Sequence, residues 1–299
     1  MKKIIALVLV LSLSAFCFAA CKKDKDNTPE EKTYSVAIVT DSAVKNNKVT
    51  NTALTLVIDA DNKIVAARFD CAEVTPELNE DGTLKEVASV DTKVEKGDAY
   101  TGMPAGSWAK QTKIFEDAII GKTADEVANL DASLHAGCTM KSTVPTFKAL
   151  VAKAFASTLK VTFKTSETIT AGIAIDTAVK NSKSKIAVGS DFAGVVMAGG
   201  KVVACVIDSV EQSFSITDGA ITAGTLAVSK NDQGDNYVMP AGNWAKQGQA
   251  FANSAVGKTV AELANLETVS DALAAAGCTM KNTTAGYKVT IIAAAGYAR

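Results

Sequence analysis

Apolar residues along this chain switch from a two-residue to a 3.6-residue period, and they make that switch twice. "SVAIVT" (Ser35–Thr40) and "ALTLVID" (Ala53–Asp59) are β-branched runs of strand length, and "NKIVAARF" (Asn62–Phe69) follows the second across an Asp-Asn turn. A Gly/Pro loop then leads to Ser107, a residue suited to cap a helix, and the next segment spaces Trp108, Thr112, Phe115 and Ile119 as one helical face. Gly121 ends that helix and Thr123 opens a shorter one with acidic residues in its first turn. "VPTFKALVAKAFAS" (Val144–Ser157) predicts a further helix with proline near its start.

The pattern then restarts. "ITAGIAID" (Ile169–Asp176), "FAGVVMA" (Phe192–Ala198) and "KVVACVID" (Lys201–Asp208) are strand runs, the last two joined by the Gly199-Gly200 turn as a hairpin. Asn243 takes the place of Ser107, Trp244, Gly248, Phe251 and Ala255 form the helical face, and Gly257 and Thr259 repeat the stop and start. "TTAGYKVTIIAAAGYA" (Thr283–Ala298) is weaker as a helix, since it holds Gly286 and several β-branched residues.

The recurrence extends to the letters. "SAVKNNK" (Ser42–Lys48) answers to "TAVKNSK" (Thr177–Lys183), "MPAGSWAKQ" (Met103–Gln111) to "MPAGNWAKQ" (Met239–Gln247), and "AGCTMK" at Ala136–Lys141 returns unchanged at Ala276–Lys281. The tryptophans lie 136 positions apart and the threonines of AGCTMK 140 apart, so the second copy gains four residues just before that hexapeptide. A period this long means duplicated domains rather than a solenoid. Strands first and helices afterwards predict α+β domains, each an antiparallel sheet packed with helices. The predicted organisation is a leader over 1–20, a tether over 21–32, a first domain over 33–160 and a second over 161–299.

The leader changes the setting. Lys2 and Lys3 precede an apolar run from Ile4 to Phe18, about 15 residues and short of the ~20 that span a bilayer. Phe18-Ala19-Ala20-Cys21 resembles a bacterial lipobox, which implies cleavage before Cys21, a diacylglyceryl thioether on its sulfur and a chain held at the extracytoplasmic face of the cell membrane. An ordinary secreted chain with an incidental Cys21 is the plainer alternative. "KKDKDNTPEEK" (Lys22–Lys32) is charged, carries proline and lacks periodicity, as a flexible tether does.

Composition narrows the chemistry. Of 299 residues 47% are hydrophobic but only 6% aromatic, so the cores rest on Ala, Val, Ile and Leu. The formal net charge of −1, with both signs interspersed, gives no footprint for nucleic acid. The single histidine, His135, has alanine at its counterpart position, which argues against a hydrolytic triad and against any histidine chemistry common to both copies. No C-x-x-C, H-E-x-x-H or phosphate-cradling loop occurs. Cys138 and Cys278 are equivalent, whereas Cys71 faces Ser209 and Cys205 faces Ala67; a disulfide framework would be duplicated with its domain, so free thiols are expected.

What both copies share is a small-residue turn presenting a hydroxyl, a Gly/Pro loop and a Trp-headed helix. On these features the chain resembles the FMN-binding domains of flavinylated bacterial lipoproteins used in extracellular electron transfer, sometimes labelled pheromone-precursor lipoproteins. In that family an FMN transferase esterifies FMN through its phosphate to a Thr or Ser of a D-x-x-[ST]-G-A-[TS] sequence. Gly137 and Gly277 match the family glycine and Thr139 and Thr279 the acceptor; Cys138 and Cys278 stand where alanine is usual. Ala136 and Ala276 replace the Ser/Thr, and Asp131 and Asp271 lie eight residues before the threonine rather than six.

The resemblance implies covalent FMN at both threonines, with glycine and alanine leaving the backbone open to an activated phosphate. Trp108 and Trp244 would be aromatic surfaces for the flavin ring, with Met103 and Met239 as polarizable neighbours. It further implies an electron carrier rather than a stand-alone enzyme, fed by a membrane reductase or the quinone pool and passing electrons to extracellular acceptors. The alternatives are a structural role for each Trp and each AGCTMK turn, in a non-redox surface-binding or pheromone-precursor lipoprotein.

Overall fold

The computed structural model describes residues 29–100, 106–131, 138–182 and 185–299. The expected leader, the lipid-bearing Cys21, Met103 and Gly137 lie outside the described residues, as does His135. Among the described residues no helix is long and apolar enough to cross a membrane.

Three long strands open the chain: β1 (Lys32–Lys45), β2 (Lys48–Asp59) and β3 (Ile64–Val74). SAVKNNK is the tip of the β1–β2 hairpin, where Asn46 and Asn47 both take positive φ (53° and 61°), a conformation asparagine tolerates better than most residues. After a two-residue ladder of β4 (Glu77–Leu78) with β5 (Leu84–Lys85) come α1 (Trp108–Ile119), α2 (Ala124–Ala128) and α3 (Val144–Ala156). Ser107 caps α1 by accepting from the Lys110 N–H, and Thr123 with Glu126 forms a reciprocal capping box on α2. Both caps are as the sequence predicts.

Val161–Thr165, expected to open the second domain, is instead β6, paired antiparallel to β1 as the edge of the first sheet. The first sheet therefore has the order β3-β2-β1-β6. The second, of order β10-β9-β8-β7, is built from β7 (Ile169–Ser182), β8 (Lys185–Ala198), β9 (Lys201–Thr217) and β10 (Ala220–Ala223). Then follow α4 (Lys230–Gln233), α5 (Trp244–Asn253), α6 (Val260–Leu263), α7 (Asp271–Ala275) and α8 (Thr284–Gly296). The fold is thus α+β, with antiparallel sheets.

Strand alternation sorts most strand side chains into three cores, with a smaller fourth cluster of Val49, Leu84, Val179, Ile186, Val188 and Phe214. Ala37, Val39, Leu54, Leu56 and Phe69 face α1 and α3, where they meet Phe115, Phe147, Leu150 and Val151. Ala193, Val195, Cys205 and Ile207 face α5 and α8, where they meet Phe251, Tyr287 and Ile291. The alternate residues, Val36, Ile38, Ala53 and Val57 from one sheet and Ile173, Ile175, Phe192, Val196 and Val206 from the other, form a third core between the sheets. Lys32–Arg299 is one compact unit of four layers, helices outside and two sheets within.

Each sheet carries a bulge at the same place. The register slips between Val57 and Ile58, leaving Val65 unpaired, and again between Val196 and Met197, leaving Val203 unpaired. The extra residue resets the alternation, so Ile64 and Ala67, like Val202 and Cys205, all reach the helix-side core.

Candidate functional site

The helix that begins at each tryptophan carries a glutamine one turn on, and that side chain organises the AGCTMK turn. Trp108 and Gln111 share the buried face of α1, and Trp244 and Gln247 that of α5, since residues three apart lie one above the other. Both glutamines are 0% exposed. The Thr139 N–H and the Thr139 Oγ1 hydroxyl both donate to Gln111 Oε1, at 2.6 and 2.9 Å. In the second half the Thr279 N–H and Oγ1 donate to Gln247 Oε1, each at 2.9 Å. A backbone N–H can only donate, so it fixes the amide oxygen toward the threonine, and the hydroxyl must then donate to that same oxygen. The threonine lone pairs point away from the glutamine, and both threonines are exposed.

The flanking residues hold the turn down. Met140 and Met280, immediately after the threonines, are buried in the two helix-side cores, with Thr112 Oγ1 donating to Met140 Sδ at 3.9 Å. Gly277 has φ of +97° and open space where a Cβ would stand, and the Cys278 N–H returns to Leu273 O at 2.8 Å to close the end of α7. Cys278 is 3% exposed, and burial pushes its thiol above the ordinary value, so the neutral thiol packs inward while Thr279 faces out. Cys138 is half-buried against the first core. Cys71, Cys138, Cys205 and Cys278 are all free, as the unequal pattern of cysteines predicts. Desolvation raises Cys71 to about 11 and Cys205 to about 12, which leaves both as inert core thiols.

The tryptophans correct an expectation. Trp108 is 2% exposed and Trp244 1%, each packed edge-on against a helix aromatic: Phe147 at 5.9 Å and Tyr287 at 5.7 Å between ring centroids. Lys93 Nζ lies 5.8 Å from the Trp108 ring centre and 5.2 Å from Tyr100; Lys230 Nζ lies 5.3 Å from Trp244 and 5.5 Å from Tyr237. With ring edges and faces occupied by core and lysine, neither indole presents a surface on which a flavin could stack. Met239 is half-buried against the second core, beside Tyr237.

The segments that carry these lysines are anchored by two buried carboxylates that sequence reasoning passed over. Asp70 ends the VAARFD run and Asp208 the VVACVID run, so both fall at one place on β3 and β9. Asp70 Oδ1 accepts from the Cys71 and Val94 N–H groups, and Asp208 Oδ1 from those of Ser209 and Asn231. Each thereby ties the loop before its Trp helix to its sheet. Desolvation is the main cause of their raised pKa values, about 7 for Asp70 and about 6 for Asp208, opposed by those hydrogen bonds.

A cleft of about 440 Å³ opens beside the second turn, walled by Asn253, Ser254, Lys258, Asn265 and Ser270 and by Ala276, the first residue of the second AGCTMK. Among the described residues no cluster of side chains is arranged to hold a metal ion. Comparison of the chain with protein-family models, with curated proteins and with solved structures finds no match.

Proposed function

We propose that the chain is a membrane-anchored extracytoplasmic flavoprotein that carries electrons, built from two tandem FMN-binding-like domains with FMN esterified to Thr139 and Thr279. The reading rests on one observation above the others. Two exposed threonines, in identical hexapeptides, each have their hydroxyl held by a buried glutamine in the same way. A hydroxyl on an exposed residue, with its lone pairs turned away from the core, is what a phosphate ester requires, and the residues there fit that attachment.

FMN tethered by its phosphate would supply reversible electron uptake, since a phosphoester takes no part in ring redox chemistry. The chain's own contribution is position. Thr139 and Thr279 would hold the phosphate, Gly277 keeps the approach to the second hydroxyl clear, and the cleft beside Ala276, its lining mainly apolar with Leu266 and Leu273, offers Asn253, Ser254 and Lys258 to the tethered group. Electrons would arrive from a membrane reductase or the quinone pool and leave to extracellular acceptors, with Cys21 as the lipid anchor and an FMN transferase as the modifying partner. The chain would be a carrier and not a stand-alone enzyme.

Intact mass tests this. Purified from a host co-expressing an FMN transferase, the wild-type chain should gain two FMN adducts, Thr139→Ala or Thr279→Ala one, and the double variant none. A bare wild-type mass, with no flavin fluorescence after denaturation, would favour the non-redox surface-binding lipoprotein instead.

A further inference from the structure

Gln111 and Gln247 have a chemistry that packing alone does not require. A fully buried amide on the apolar face of a short amphipathic helix costs desolvation unless it is bonded, and leucine would fill that space without the penalty. Both halves nevertheless place glutamine there, and both spend its carbonyl oxygen on one threonine. That oxygen has two lone pairs, and the threonine N–H and hydroxyl take one each. The N–H bond fixes the turn, and the hydroxyl bond fixes the side-chain rotor.

The amide nitrogens show that the carbonyl is the part both halves keep. Gln111 Nε2 donates to Gly106 O at 3.2 Å, whereas Gln247 Nε2 is buried with no partner. Common to the two sites is only the acceptor aimed at the threonine. A hydroxyl that donates its proton inward exposes its lone pairs outward, which is the orientation an incoming electrophilic phosphorus needs. Accepting that hydrogen bond also raises electron density on Oγ1, because hydrogen bonds in series polarise one another.

We infer that Gln111 and Gln247 are positioning residues for the modification of Thr139 and Thr279, each orienting its threonine Oγ1 for attack on an activated flavin phosphate; this rests on the flavinylation reading above. In the step, a bond forms between Oγ1 and the flavin-side phosphorus of a pyrophosphate-activated flavin nucleotide. The bridging P–O bond breaks, and the leaving nucleoside monophosphate keeps its electron pair. The hydroxyl proton passes to a base of the transferase, and no atom changes oxidation state. The glutamine amide holds the hydroxyl and takes no proton.

The test uses the full chain co-expressed with an FMN transferase, following adduct occupancy of each threonine over time by peptide mass. Gln247→Leu removes both bonds to Thr279 and should slow its modification on the order of tenfold, the scale set by loss of the hydroxyl hydrogen bond, and leave Thr139 at the wild-type rate. Gln247→Glu, which retains an acceptor, should restore most of the Thr279 rate; Gln111→Leu should mirror the effect at Thr139. Wild-type rates at Thr279 in a folded Gln247→Leu chain would overturn the inference while leaving flavinylation standing. A wild-type chain without adducts would overturn the flavinylation reading itself. Should the leucine variants not fold, three-bond couplings across χ1 of Thr139 and Thr279 in the unmodified wild type decide the matter. A single rotamer supports the inference and averaging over rotamers overturns it.

Discussion

Asp70 and Asp208 are buried carboxylates, each accepting from two backbone N–H groups, and their protonation is coupled to folding. Each binds its proton more tightly folded than unfolded, because burial disfavours the anion more than the N–H bonds restore it. Their contribution to stability is therefore whole below the ordinary aspartate range near 4. It is lost as pH rises through about 6 for Asp208 and about 7 for Asp70. Asp70→Asn keeps the acceptor oxygen and removes the titration. It should be more stable than wild type at pH 8 by roughly 2–4 kcal/mol, with the gap closing below pH 5; urea midpoints across that range check both sign and window. An aspartate within a largely apolar strand, present in both halves, was a legible sign of a buried polar anchor. So was glutamine three residues after tryptophan on an apolar helix face. What the letters did not convey was the partner: no spacing rule connects Gln247 to Thr279, which lie 32 positions apart and meet only because α5 and the turn after α7 pack on one sheet.

Helices of the same rank in the two halves are made by different means. α3 has the sequence expected of a helix, with Pro145 in its first turn and Phe147, Leu150, Val151 and Ala154 on one buried face. α8 lacks that clarity, yet spans Thr284–Gly296, because contact with the sheet supplies what intrinsic propensity withholds. The contact is close at Gly172 on β7, where an added Cβ would stand 1.9 Å from Ala294 O in α8. Gly172→Val should therefore push α8 off its sheet and cost about 3 kcal/mol or more, read as a lowered denaturation midpoint with loss of far-UV helical signal. Strands and caps were legible because alternation, turn asparagines and Ser/Thr caps act locally. The identity of β6 was not: "VTFKT" (Val161–Thr165) reads as strand in any setting, and its choice of β1 as partner depends on where α3 delivers the chain.

At the scale of the whole molecule, the two halves that carry the recurring motifs are packed into one compact unit. Each half has its own helix-side core, but the face of each sheet turned away from its helices carries a further set of buried apolar side chains, and these pack against the other sheet. Arg68 Nε reaches Ala171 O from the first half to the second, Asn51 Nδ2 reaches Ser190 Oγ at 2.7 Å, and Lys153 pairs with Asp232 at 2.5 Å. Phe192, fully buried in the shared core, is the largest side chain of the second half in that layer. Phe192→Ala should cost about 3–5 kcal/mol. If the sheets stand or fall together, that loss is felt in both halves. The tryptophans allow each half to be read separately, since Trp108 reports on the first and Trp244 on the second. In Trp244→Phe and Trp108→Phe backgrounds, Phe192→Ala should shift both fluorescence unfolding curves to the same lower midpoint. Two midpoints, with only the Trp244 curve displaced, would mean that the inter-sheet core joins the halves without making them one cooperative unit. For the carrier proposed above the consequence is direct: a cooperative pair holds Thr139 and Thr279 at a fixed separation, whereas independent halves would let that separation vary and with it any transfer between groups that the proposal attaches there.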